Sequence, residues 1–131
     1  GEIKVKKIVA AHDVGKAINP ENVEAQIEGG CLMGAGYALL EEIRVRDGRI
    51  LNPDFSTCLI YTAKDLPEVY PIIVEDLEPT GPFGAKGVGE PSLIPTAPAV
   101  LNAIYDAVGE RFTQIPVTQE KFIEQFHKKR R

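Results

Sequence analysis

Hydrophobic and polar positions alternate at the start of the chain. Ile3 and Val5 are followed by Ile8 and Val9, a period-two pattern that predicts a strand. Gly1-Glu2 reads as the exit of a hairpin turn, so the chain begins as if already inside a sheet. His12 to Ile18 is a polar connection. Asn19-Pro20 then marks a helix start, with Asn19 as N-cap and Pro20 at the first helical position. Glu21 and Glu24 suit the positive end of that helix, and Val23, Ile27 and Cys31 fall on one face, predicting a helix to about Leu40. Four glycines, Gly29, Gly30, Gly34 and Gly36, lie inside it. Each costs about 1 kcal/mol relative to alanine. Close packing against a sheet or helix, or close approach of a large ligand, would account for them.

Further on, Glu41 to Val45, Asp47-Gly48 and Ile50 read as a hairpin with a tight turn. Thr57–Thr62 and Pro71–Glu75 read as strands. A second helix is expected over 91–108 with Val100, Ile104, Ala107 and Val108 as its apolar stripe and Gly109 as its C-cap; Pro95 and Pro98 weaken its first half. Thr118 caps a third helix, over 118–129, that buries Phe122, Ile123 and Phe126. Helices and strands mix without strict alternation. The expectation is therefore one α+β domain over 1–131, with about three helices on a mixed or antiparallel sheet.

The composition narrows the functional classes. Hydrophobic residues make up 44% and charged residues 26%, which is ordinary for a folded domain. A net charge of -4 argues against broad nucleic-acid or anionic-membrane binding, and the basic run from His127 to Arg131 reads as a solvated helix end. No apolar run approaches the roughly 20 residues of a membrane span. Cys31 and Cys58 have no metal-ligand spacing and read as buried free thiols, which suits the cytoplasm.

The most informative stretch is Pro79-Thr80-Gly81-Pro82-Phe83-Gly84-Ala85-Lys86-Gly87-Val88-Gly89-Glu90-Pro91. It fails as a phosphate-binding P-loop, because Lys86 follows Ala85 and precedes Gly87, and as a dinucleotide fingerprint, because Ser92 stands where a glycine is needed. Glycines at 84, 87 and 89 would let the backbone approach a ligand and expose amide donors. With Pro91 opening a helix, Glu90 would be its N-cap. Two readings follow for Glu90: a general base held at a rigid helix start, or a cap alone. Asp13, Glu41 and Glu42 show no evident partner, and His12 beside Asp13 reads as a loop pair.

Taken together, Gly84 to Pro91, Asn102-Ala103-Ile104-Tyr105-Asp106-Ala107, Asp13 to Pro20, Gln26-Ile27-Glu28-Gly29-Gly30 and Ile115-Pro116-Val117-Thr118 occur in an order that resembles the C-terminal part of the molybdenum-cofactor subunit of the xanthine dehydrogenase and aldehyde oxidase family of molybdenum hydroxylases. The resemblance covers almost the whole chain, and the combination is specific where each piece alone is weak. It implies a piece of a larger molybdenum-cofactor-binding domain in an oxidoreductase. Such enzymes hydroxylate an aldehyde, purine or N-heterocycle at an electron-poor carbon with water-derived oxygen. It further implies Glu90 as the base, Gln26 as a pterin contact, and Gly84, Ala85, Lys86, Gly87, Val88 and Gly89 lining the cofactor site. The family usually carries glycine where this chain has Ala25. The cofactor implied is molybdenum-molybdopterin, including its cytosine dinucleotide form, with iron–sulfur clusters and FAD confined to other domains or subunits. The implied partners are those subunits and the remainder of the molybdenum subunit. Isolated, the chain is expected to be inactive and to expose apolar surface open to self-association. A non-catalytic remnant or assembly module that binds partner chains is the alternative; a stand-alone small-ligand binder is a third reading.

Overall fold

The computed structural model describes residues 1–128. Their order is β1 (Lys7–Asp13), α1 (Pro20–Leu39), β2 (Val45–Arg46), β3 (Arg49–Ile50), β4 (Glu68–Val74), a 3₁₀ turn (Pro82–Gly84), α2 (Thr96–Val108) and α3 (Gln119–Lys128). The α+β expectation with three helices holds. The strands form two separate two-stranded sheets rather than one: β1 pairs with β4 in parallel, and β2 pairs with β3 antiparallel. Among the described residues no helix is long and apolar enough to cross a membrane.

The chain divides into two compact units. One comprises Val5–Gly34 and Pro67–Thr96. In it β1 and β4 run side by side with Lys7 opposite Glu68 and Asp13 opposite Val74. Side chains alternate across a strand, and here Ala10 is buried while Val9, Tyr70, Ile72 and Val74 stand exposed. The inward face joins Val14, Ala17, Val23, Ile27 and Cys31 in one core, with Ile8, Val69, Ile73 and Val88 packed against it. Val23, Ile27 and Cys31 are spaced by four, so one stripe of α1 supplies half of that core. Ile27 is 0% exposed, and burying such a side chain stabilises by roughly 1.5–3 kcal/mol. Asn19 caps α1 as its position predicts: its Oδ1 accepts the Asn22 N–H at 3.1 Å.

The other unit comprises Gly1–Lys4, Ala35–Leu66 and the residues from Ala97 on. Asp47 and Gly48, at φ 50° and 74°, make the tight β2–β3 turn. Asn52 is buried and holds the hairpin base, accepting the Arg44 N–H at 2.8 Å and donating to the Glu42 carbonyl at 2.6 Å. Val100 and Ile104 of α2 are buried, and Phe112, Phe122 and Phe126 stack in series. Thr118 caps α3, its hydroxyl accepting the Lys121 N–H at 3.3 Å.

Several expectations need correction. The first strand starts at Lys7 rather than at Ile3, and among the described residues 1–6 join no ladder. Thr57–Thr62 is not a strand. The Asp54 carboxylate accepts from Ser56 and Thr57, curling that segment into a side-chain-stabilised turn. Helix α2 begins at Thr96, not 91. Pro95 would fall inside a helix starting at 91, where it lacks the required N–H, whereas Pro98 falls in the first turn of α2, where that N–H has no partner anyway. Cys58 is half-buried rather than buried. Cys31 is buried as expected, and burial pushes its thiol up, partly offset by a hydrogen bond with Thr96. Lys129, Arg130 and Arg131, the end of the basic run and of the expected third helix, lie outside the described residues.

The glycines of α1 separate into two kinds. A Cβ at Gly30 would stand 1.9 Å from Ser92 Oγ, and one at Gly34 would stand 2.5 Å from the Thr96 Cβ. A Cβ at Gly29 would meet nothing within 4 Å. Gly30→Ala is therefore expected to cost about 1–3 kcal/mol through overpacking. Gly29→Ala is expected to gain up to about 1 kcal/mol from helix propensity. Urea denaturation of the two variants checks this, and equal destabilisation would contradict it.

Candidate functional site

Every sequence-predicted site residue falls within the unit formed by Val5–Gly34 and Pro67–Thr96. Gln26 is exposed on α1, and Glu90 is exposed in the segment before α2. The two backbones are tied together, because the Ser92 hydroxyl donates to the Gln26 carbonyl at 3.3 Å. Gly30, one turn beyond Gln26 on α1, is what lets Ser92 come so near. Ser92 is 1% exposed. Sequence reasoning missed it; a small polar residue spaced to meet the helix glycines was the available signal.

Glu90 does not cap a helix. Its backbone carbonyl accepts the Leu93 and Ile94 N–H groups at 3.0 and 3.4 Å, forming a single turn ahead of α2. Among the described residues no hydrogen bond or ion pair reaches its carboxylate. The capping reading therefore loses its geometric basis, and so does the idea that a helix end acts on this group.

The glycine-rich loop divides at Lys86. Gly15 and Ala85 form an isolated antiparallel bridge, with Lys16 N–H donating to the Gly84 carbonyl and Lys86 N–H to the Val14 carbonyl, each at 2.9 Å. The N–H groups of Gly84 and Ala85 donate to Gly81 and Pro82. Gly15 has φ 62°, and a Cβ there would lie 2.2 Å from the Gly84 oxygen, so the bridge requires glycine on both counts. From Gly87 to Glu90 the pattern changes. Among the described residues these four amides have no acceptor, and a Cβ at Gly87 or Gly89 would meet nothing within 4 Å. Between those two open glycines, Val88 packs on the core.

Asp13 is not a lone surface acid, and its partner is not His12. Its Oδ1 accepts the N–H groups of Gly15 at 2.9 Å and Asp76 at 3.2 Å. Its Oδ2 pairs with Lys86 Nζ at 2.5 Å, and Asp76 lies 3.7 Å from the same ammonium. The Lys86 hydrogen bond, then the Gly15 N–H, hold the Asp13 carboxyl down at about 2, and Asp13 in turn pushes Lys86 up. Glu75 fixes the adjoining strand exit, accepting the Ala17 N–H at 2.8 Å and pairing with Lys16 at 3.1 Å. Glu42 also has a partner, Lys121 at 3.5 Å.

The arrangement places several hydrogen-bonding groups on one loop and one helix face. It offers unused amide donors at 87–90, an amide side chain at Gln26, a carboxylate at Glu90, and glycines at 29, 87 and 89 that nothing in the described chain crowds. Among the described residues no group of three or more His, Cys, Asp or Glu side chains could hold a metal ion.

A model of the molybdopterin cofactor-binding domain family matches residues 1–67, just over half of the chain, and the chain belongs to that family. It is 37% identical over 128 residues to a xanthine dehydrogenase molybdenum-binding subunit of Escherichia coli, covering 96% of this chain and 17% of that protein. An aldehyde oxidoreductase molybdenum-binding subunit of Escherichia coli is 35% identical over 127 residues, 95% of this chain and 17% of that protein. In structure the chain matches quinoline 2-oxidoreductase from Pseudomonas putida with a TM-score of 0.87 and 31% identity, covering 95% of this chain and 16% of that one. The chain thus spans about a sixth of the length of these relatives. The family match includes Gln26, whereas the Glu90 loop lies beyond it.

The acid behaviour of the loop tie is checkable. A depressed folded-state carboxyl contributes stability that is present in full above its unfolded value of 3.8 and is lost as pH falls through about 2. The Asp13 carboxyl is expected to titrate near that low value by NMR and to move up toward 3.8 in Lys86→Met. An unchanged titration in that variant would contradict the pairing.

Proposed function

We propose that the protein forms one wall of the active site of a molybdenum hydroxylase. Its substrate class would be an aldehyde, purine or N-heterocycle, hydroxylated at an electron-poor carbon with oxygen derived from water. In this reading Glu90 is the general base, and Gln26 and the loop from Gly84 to Gly89 lie along molybdopterin, in its simple or cytosine dinucleotide form. The observation that carries the reading is the Glu90 carboxylate, unpartnered among the described residues, beside four amides unused among them, on a loop otherwise anchored to the core.

When bound, the molybdenum cofactor would supply the two-electron oxidation. The chain's own residues do the rest. Gln26 and the amides from Gly87 to Glu90 bind and orient the pterin. The N–H groups of Gly84, Ala85 and Lys86 are already used within the chain, so those residues shape the loop. Glu90, with no competing donor on its carboxylate among the described residues, is available to take the proton from the water-derived oxygen during carbon attack. The remainder of the molybdenum subunit, with iron–sulfur and FAD units, would complete the enzyme in the cytoplasm. The exposed face of Val9, Tyr70, Ile72 and Val74 suits cover by that remainder.

Glu90→Gln in the assembled enzyme tests the base. The amide is nearly isosteric, so cofactor content and melting temperature are expected to stay close to wild type, while turnover per bound molybdenum falls about 10²–10⁴-fold. Wild-type turnover in this variant would remove Glu90 from the chemistry.

A further inference from the structure

The geometry points to Lys86 as a positioning residue for Glu90: its ammonium, clamped by Asp13 and Asp76, fixes where the loop from Gly87 to Glu90 leaves the ends of β1 and β4. This deepens the reading of Glu90 as the base and rests on it.

Among the described residues Lys86 is the last of the loop up to Glu90 whose N–H is paired, donating to the Val14 carbonyl at 2.9 Å. Its side chain turns to Asp13 and Asp76, with Glu78 as a further negative neighbour. Asp13 joins three segments through one carboxylate: its own turn at Gly15, the exit of β4 at Asp76, and the loop at Lys86. Beyond Lys86 the described residues restrain the loop through Val88 on the core, the Glu90 carbonyl in its turn, and Ser92 on α1 and Thr96. At two of the four intervening positions, Gly87 and Gly89, an added Cβ would meet nothing within 4 Å, so no side-chain packing holds the loop there. The lysine side chain is therefore the polar anchor nearest the base on its N-terminal side. A residue that used its charge on a bound anion would leave the carboxylates for that anion; here the ammonium is committed to them.

The test compares Lys86→Met, Lys86→Arg, Asp13→Asn and the Lys86→Met/Asp13→Asn pair in the full molybdenum-loaded enzyme. Asp13→Asn keeps an oxygen for the Gly15 and Asp76 N–H groups, so it removes the ion pair even if Lys86→Met folds poorly. The readouts are molybdenum content, turnover per bound molybdenum, and amide hydrogen exchange of the peptide covering 84–94. Expected are unchanged molybdenum content, a loss of turnover of about ten- to a hundredfold in each single variant, faster exchange at 87–90, and recovery of most of both in Lys86→Arg. The double variant should be no worse than either single one, since both remove the same contact. Wild-type exchange and turnover in Lys86→Met would overturn the inference. So would additive losses, or a fall in turnover that simply tracks lost molybdenum. Glu90→Gln run alongside separates the two claims. An active Glu90→Gln defeats the base, while an inactive one beside a fully active Lys86→Met defeats only the positioning role.

Discussion

The segment that carries Glu90 sits on α1 at a spacing that a side chain would forbid. Ser92 occupies the volume that a Cβ at Gly30 would need, and Thr96 does the same at Gly34. This close approach lets the Ser92 hydroxyl reach the Gln26 carbonyl, and it sets Glu90 relative to the helix bearing Gln26. Most of the candidate site follows from it. The proposed base and the proposed pterin contact lie 64 positions apart in sequence (90 − 26) and are held together by two glycines and one serine.

The opposite end of the loop is held by charge rather than by packing. Asp13 stands at the end of β1, where the parallel pairing with β4 finishes, and it gathers Gly15, Asp76 and Lys86. The loop is thus fixed at both ends and by Val88 in the middle, and Glu90 is exposed. A base must be held close to its productive position to be effective. Flexible glycines near it are tolerable only because their flanks are restrained, and both kinds of restraint are visible here.

Much of this was legible in the residues. Asn19-Pro20 marked the helix start, Asp47-Gly48 the turn, and the order of short motifs marked the family. What stayed hidden was decided by contacts distant in sequence. Nothing local shows that Asp13 pairs with Lys86, 73 positions away, so the acid looked unpartnered. The glycines of α1 all look alike in sequence, and only the position of Ser92 and Thr96 separates those needed for packing from Gly29, which is not. Thr57–Thr62 carried strand-like residues, but Asp54 bent the segment through side-chain hydrogen bonds. The start of α2 was misjudged because Pro91 and Pro95 compete as helix openers, and the missing N–H of Pro95 is decisive only when it would fall in a helix interior.

The central claim is that the loop from Gly87 to Glu90 faces the molybdenum cofactor with Glu90 at the metal. A crystal structure of the assembled, cofactor-loaded enzyme, with anomalous data collected at the molybdenum edge, measures this directly. The account predicts a molybdenum peak whose oxygen ligand lies within hydrogen-bond reach of the Glu90 carboxylate, about 2.6–3.2 Å or through one water, with Gln26 and the amides of 87–89 along the pterin. A molybdenum peak on another face of this domain, with Glu90 turned to solvent, would contradict it.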